Sequence, residues 1–267
     1  MTPFAEIKNA RVYRGENIVF ENLNLNFFLK QNTAILGPNG AGKTSLFKLI
    51  TREISPRVSP GSHIKLFGEV HTNIWQLRKK IGIISHEYQS NYQTLASGEE
   101  VVLSAFFGSV GVHGHHRIEA AQRQKAKNLM QSLGLQTLAD KPYLQLSFGQ
   151  QRRLLLARAL VHDPEVLIFD EPTVGLDLGS SMQIIREIRQ LSATNKTILL
   201  ITHHLQELVP EIQRVIMLKN GQVFKDGDKQ TVVTSKNVSQ LFDVAVEIQC
   251  QSDCYIAAPS NKHLAIK

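Results

Sequence analysis

The sequence predicts an α/β fold with a mostly parallel core sheet. Three observations carry this. Short apolar runs of strand length recur along the chain, helical patterns alternate with them in the last third, and a glycine-rich turn joins one such run directly to a helix. In chain order, Ile18, Phe20, Leu23, Leu25, Phe27 and Leu29 recur with the spacing of antiparallel strands. Residues 33–36 form a short buried-strand run that Gly37-Pro38 ends, and the helix pattern after it carries Leu46, Phe47, Leu49 and Ile50. A further strand run lies at 81–84. From about residue 87 to 160 the character changes, with helical patterns at 99–107, 118–133 and 150–161. Strands then return at 166–169, 198–201 and 215–218, with a helix at 182–191. The helical middle therefore reads as an insertion into a parallel sheet. The expected division is a domain over residues 1–235, with its helical part at about 87–160, and a short extension over 236–267. In that extension residues 243–250 alternate like a strand. No internal repeat is present.

Composition sets the class. The 267 residues are 42% hydrophobic and 20% charged, as in ordinary globular domains. The longest nearly apolar stretch, residues 154–161, is broken by Arg158, whereas a bilayer helix needs about 18 such residues. Glu6, Lys8, Arg11 and Arg14 near the N-terminus argue against a secretory signal. The expectation is a cytoplasmic protein whose membrane role, if it has one, comes through partner subunits. The two cysteines, Cys250 and Cys254, read as reduced thiols, since two ligands do not make a metal site. The net charge of +7 reads as dispersed surface charge, and a nucleic-acid role would rest on it alone. His113, His115 and His116 lie in a Gly/His-rich stretch and read as loop residues rather than metal ligands.

Two motifs carry the chemistry. The run Gly37, Pro38, Asn39, Gly40, Ala41, Gly42, Lys43, Thr44 matches G-x-x-x-x-G-K-[ST], with a strand before it and a helix after it. Its glycines let the backbone curl so that N–H groups face phosphate oxygens, and the helix adds its positive N-terminal end. Lys43 suits the β- and γ-phosphates as a point charge, and the Thr44 hydroxyl suits Mg²⁺. The apolar strand 166–169 then runs into Asp170-Glu171-Pro172. This places two acids at the carboxyl edge of a parallel sheet, where ligands bind. Asp170 suits Mg²⁺ as a Walker-B carboxylate. Glu171, pointing the other way by strand alternation, suits the polarisation of an attacking water.

The sequence Leu146, Ser147, Phe148, Gly149, Gln150 resembles the LSGGQ signature of ATP-binding cassette (ABC) ATPases. Phe148 stands at the first signature glycine, and the motif precedes the Walker-B strand as in that family. Gly175-Leu176-Asp177 resembles the family's D-loop, and Thr202-His203 resembles its switch histidine. Tyr13 matches the aromatic that stacks on adenine, and on residues alone it reads equally well as strand packing. The Q-loop departs from the pattern. After the strand 81–84 the expected glutamine position carries His86, so His86, Glu87 and Gln89 are all candidates.

The resemblance spans about residues 4 to 230. It implies a P-loop NTPase fold with a mostly parallel core sheet, an antiparallel β subdomain and an inserted α-helical subdomain. It implies ATP and Mg²⁺ as ligands, with Gly37 to Thr44 and Ser45 binding ATP, Thr44 and Asp170 holding Mg²⁺, and Glu171 and His203 catalytic. It implies a head-to-tail dimer, as a homodimer or with a paired ABC ATPase, in which residues 146–150 act in trans and Asp177 lies at the interface. It also implies a multi-span membrane subunit that docks near Tyr88, Tyr92, Phe106 and Phe107; on residues alone the two phenylalanines read as core and the two tyrosines as ordinary loop residues. The expected function is the ATPase subunit of an ABC transporter, peripheral on the cytoplasmic face of the membrane. The alternative is a soluble ABC ATPase in assembly, repair or translation.

Overall fold

In the computed structural model, residues 3–92, 95–251 and 254–260 are described, and the chain divides into two compact units. One comprises residues 1–72 with 188–267, the other residues 73–187.

The first unit opens with two long antiparallel strands, β1 (Pro3–Arg14) and β2 (Asn17–Phe28). On β2 the buried Leu23, Leu25 and Phe27 alternate with exposed polar residues, the pattern of a sheet with one wet face. On β1 the alternation breaks where the register shifts between Ile7 and Ala10, around Asn9 in a left-handed conformation (φ 47°). Strand β3 (Thr33–Leu36) is buried at all four positions, as a strand covered on both faces must be. It feeds helix α1 (Lys43–Ile50), and β4 (His63–Leu66) then pairs with β1 to give the order β2-β1-β4.

The second unit begins with α2 (Ile74–Lys80), whose cap Asn73 accepts from the N–H groups of Trp75 and Gln76. Strand β5 (Ile81–Ser85) follows and runs straight into α3 (His86–Asn91), capped by Ser85. Next come α4 (Gly98–Leu103), α5 (Ala120–Ser132), α6 (Phe148–Leu160), β6 (Val166–Asp170) and α7 (Leu178–Ser192). The helix expected over 99–107 is α4 followed by a 3₁₀ turn at Ser104–Phe107. Val102, Leu103, Met130, Leu135, Tyr143, Leu154 and Leu155 are buried in one cluster. At about 1.5–3 kcal/mol per buried apolar side chain, such a core holds these short helices together. Strands β5 and β6 are parallel, with Ser85 opposite Asp170. This unit holds strands β5 and β6 together with the helices, β5 packing on both β6 and α6.

The chain then completes the first unit. Strands β7 (Thr197–Thr202) and β8 (Arg214–Lys219) flank β3, both parallel to it, and β9 (Gln222–Asp228) pairs antiparallel with β8. Two short helices follow, α8 (Lys229–Val232) and α9 (Ser235–Phe242), and then the hairpin β10 (Val246–Gln251) and β11 (Cys254–Pro259). The strand expected from 243 starts only at 246, because Asp243 ends α9 in the left-handed region at φ 54°. Part of the expected extension, residues 261–267, lies outside the described residues. Cys250 pairs with Tyr255 and Cys254 with Gln251, so the two exposed thiols point to opposite faces of the hairpin. No helix among the described residues is long and apolar enough to cross a membrane.

Candidate active site

In the first unit the loop 37–42 connects β3 to α1. Gly37 anchors it by donating its N–H to the Thr202 carbonyl at the end of β7 (3.3 Å). A Cβ on Gly37 would lie 2.4 Å from the Leu218 carbonyl oxygen, so only glycine fits beside β8. Gly42 has φ 105°, and a Cβ there would also meet the Phe20 ring at 2.7 Å. The Ala41 carbonyl accepts from Gly221 N–H at 3.1 Å, fixing the far side of the loop to the β8–β9 turn. Pro38 is half-buried, while Asn39 and Gly40 are exposed at the tip.

Lys43 opens α1. Only 6% exposed, it folds back so that Nζ donates to the carbonyls of Gly37 (2.8 Å) and Pro38 (3.1 Å). Its cation is thus held over the loop. Gly42 supplies no side-chain acceptor to the first turn of α1, and no acid stands in that turn. An N-terminus of this kind suits an anion. Thr44 is exposed there and Ser45 half-buried. His203 follows β7 directly. Its ring lies 3.9 Å from that of His204, whose backbone N–H donates to Thr202 Oγ1 at 2.8 Å. Tyr13 is half-buried on β1, with the guanidinium groups of Arg11 and Arg57 at 5.8 and 5.9 Å from its ring centroid.

In the second unit Asp170 is the last residue of β6. Glu171 lies just beyond the strand in the left-handed region at φ 49°. Strand alternation therefore does not set its direction, and the turn does. That turn closes by Val174 N–H donating to the Glu171 carbonyl (3.3 Å), with Pro172 following Glu171. The segment 146–150 leads into α6. Ser147 is the cap, its Oγ accepting from Gln150 N–H (3.3 Å) while Gln150 Oε1 accepts from Ser147 N–H (3.1 Å). Leu146 is buried, Ser147 exposed, and the Phe148 side chain is 51% exposed. Phe148 is the first residue of a regular helix, so its position does not demand glycine. Gly149 is different, since a Cβ there would lie 2.4 Å from Ser180 Oγ and 2.8 Å from Ser180 Cβ. Asp177 precedes α7. Its carboxylate accepts from Ser180 N–H (2.9 Å) and Ser180 Oγ (2.8 Å), and these bonds hold its pKa below the usual value.

The three Q-loop candidates part company. His86, half-buried, lies against the Gly175 turn, and Glu87 is exposed. Gln89 is buried and binds Arg152 and the Phe148 carbonyl. Arg152, which the sequence did not single out, is fully buried and donates to the carbonyls of Glu171, Pro172 and Val174. The only hint was an arginine inside an apolar helix pattern. Of the aromatic residues in this region, Tyr92 is core, bonded to Ser104 at 2.8 Å, whereas Phe107 stacks on His116 at 4.1 Å. Among the described residues no group of three or more His, Cys, Asp or Glu is placed to hold a metal ion.

Residues 20–174 match the family model described as "ABC transporter". YlmA of Bacillus subtilis, an uncharacterized ABC transporter ATP-binding protein, is 31% identical over 253 residues, 93% of this chain and 94% of its own. Among solved structures, CbiO1 of Clostridium perfringens, part of the ABC transporter complex CbiONQ, is 28% identical with a TM-score of 0.73. It covers 90% of this chain and 94% of its own. A dimeric bacterial ABC transporter cassette is 26% identical with a TM-score of 0.68, covering 84% of this chain and 98% of its own.

Proposed function

This chain belongs to the ABC transporter family of ATP-binding proteins, and on that premise we propose how its residues divide the work of ATP binding and hydrolysis. It is the ATP-binding and ATP-hydrolysing subunit of an ABC transporter, with the α/β fold of the ABC ATPase cassettes. The relatives are named as transporter proteins, which disfavours the soluble alternative in assembly, repair or translation.

The observation that carries the site assignment is the loop 37–42, where a Cβ would strike Leu218 O or Phe20 and where Lys43 Nζ is held across the turn. Residues Gly37 to Thr44, with Ser45, hold the triphosphate by backbone N–H groups and the Lys43 cation. Thr44 and Asp170 supply hard oxygen donors of the kind Mg²⁺ prefers, and the ion when bound neutralises phosphate charge. Glu171 accepts the proton of the attacking water, and the His203 imidazole contacts the γ-phosphate and orients that water. Tyr13 stacks on adenine. Exposed Ser147 and the α6 N-terminus, with Leu146, Phe148, Gly149 and Gln150, serve the nucleotide of a second cassette, and Asp177 lies at that interface. The burial of Gln89 favours His86 or Glu87 for the Q-loop role.

Two cassettes, identical or paired, close on ATP and reopen after hydrolysis, driving a multi-span membrane subunit from the cytoplasmic face. Ser147→Arg tests the composite site. It should abolish ATP-driven dimerisation in size-exclusion chromatography while each chain still binds ATP; an intact dimer refutes the trans role. Co-purification with a multi-span subunit from membranes tests the partner.

A further inference from the structure

We propose that Gln89 and Arg152 are positioning residues that tie the turn carrying Glu171 to the signature helix of the same chain. The proposal rests on the ATPase reading above. Arg152 stands one and a half turns into α6 from Ser147 and is fully buried. Its guanidinium spans a single β-turn. Nη1 reaches the carbonyls of Glu171 (3.4 Å) and Pro172 (2.6 Å), and Nη2 that of Val174 (3.3 Å). The Glu171 carbonyl is also the acceptor that closes this turn. A non-glycine residue at φ 49° persists only where its surroundings fix it, and three carbonyl contacts from one rigid fork do so.

Gln89 completes the brace. Its Oε1 accepts from Arg152 Nε, which fixes the amide orientation and aims Nε2 at the Phe148 carbonyl (2.9 Å) and at Gln151 Oε1 (3.4 Å). Gln151 in turn donates to the carbonyls of Tyr143 (3.1 Å) and Leu146 (3.2 Å). The backbone on both sides of Ser147 is thus connected, through buried polar groups, to the turn of Glu171. Inside a low-dielectric core such a network has few alternative arrangements. Ser147 serves the nucleotide of the partner cassette and Glu171 its own, so the brace makes closure at one site felt at the catalytic carboxylate of the other. Gln89 then acts on hydrolysis without touching nucleotide or metal.

The experiment uses the full chain and steady-state MgATP hydrolysis. Gln89→Leu and Arg152→Lys should each lower kcat by about tenfold or more, as a displacement of reacting groups by about 1 Å does. KM and the half-saturating Mg²⁺ concentration should stay within about twofold, since no ground-state contact is lost. The double variant should be no slower than about twice the slower single, because both break one brace. Gln89→Glu keeps the acceptor for Arg152 but turns an acceptor toward the Phe148 carbonyl in place of a donor, so it should lose about as much rate as Gln89→Leu. Leu154→Ala, buried in the same unit but outside the network, should lower Tm and leave kcat within about twofold. Wild-type kcat in Gln89→Leu or in Gln89→Glu, fully multiplicative losses in the double variant, or a shifted Mg²⁺ dependence would each overturn the brace. Should Arg152→Lys fail to fold, the Leu and Glu variants of Gln89 decide alone. An absence of ATPase activity in the unmodified protein would sink the reading of function instead.

Discussion

Gly149→Ala perturbs the closest approach in the signature segment. The added Cβ would lie 2.8 Å from Ser180 Cβ and 2.4 Å from Ser180 Oγ. Apolar carbon atoms rest at about 3.5–4.0 Å, so α6 and the start of α7 must part by about 0.7–1.2 Å. Overpacking of this size costs about 1–3 kcal/mol, against a gain of up to about 1 kcal/mol from replacing glycine by alanine in a helix. At about 2–4 °C per kcal/mol for a chain of this size, Tm should fall by several degrees. The displaced segment carries Ser147, so ATPase turnover should fall by about 10- to 100-fold, the cost of a misplacement near 1 Å. Thermal unfolding and single-turnover hydrolysis measure the two effects. Ser180→Gly removes both clashing atoms, and in the double variant it should restore most of the turnover. The sign decides the matter. A Gly149→Ala chain with raised Tm and normal turnover would mean that the contact does not limit this helix and that the glycine is there for another reason.

Lys43→Ala removes a cation held by two loop carbonyls, and ATP binding followed by calorimetry should weaken by about 10- to 150-fold, the worth of one charged hydrogen bond. Glu171→Gln keeps side-chain shape and removes the base. ATP binding should persist, with hydrolysis slowed by about 10²- to 10⁴-fold and the dimer trapped; a wild-type rate would refute the assignment. Asp177 has a lowered pKa, so its bonds to Ser180 stabilise fully above the ordinary value of 3.8 and are lost as pH falls through the lower folded value. The Tm difference between the natural chain and Asp177→Ala should be constant from pH 7 to about 5 and should shrink below pH 3.8.

The division between what could be read locally and what could not follows the range of each interaction. Strand β3, the loop 37–42 and helix α1 are contiguous, so strand burial, glycine-bearing turn and helix start all appear in one short stretch. The buried runs of β6, β7 and β8 and the alternation of β2 are likewise properties of adjacent residues. Strand β1 escaped because its register shifts near Asn9 interrupt the period of two. Helices α2 and α3 escaped because each is only one to two turns long, too short for a helical period to show. Gln89, read from sequence as one of three Q-loop candidates, gained its partner only when α3 packed beside α6, with Arg152 sixty-three residues away.

By itself, then, the sequence pointed to the family and to the proposed site, because the loop 37–44, the pair Asp170-Glu171 at a strand end and residues 146–150 are each written in neighbouring residues. Tertiary structure decided which glycines are sterically required, how Glu171 is presented, and that an unremarked arginine grips its turn. Those outcomes depend on approaches between segments distant in sequence, where a few tenths of an ångström separate a contact from a clash.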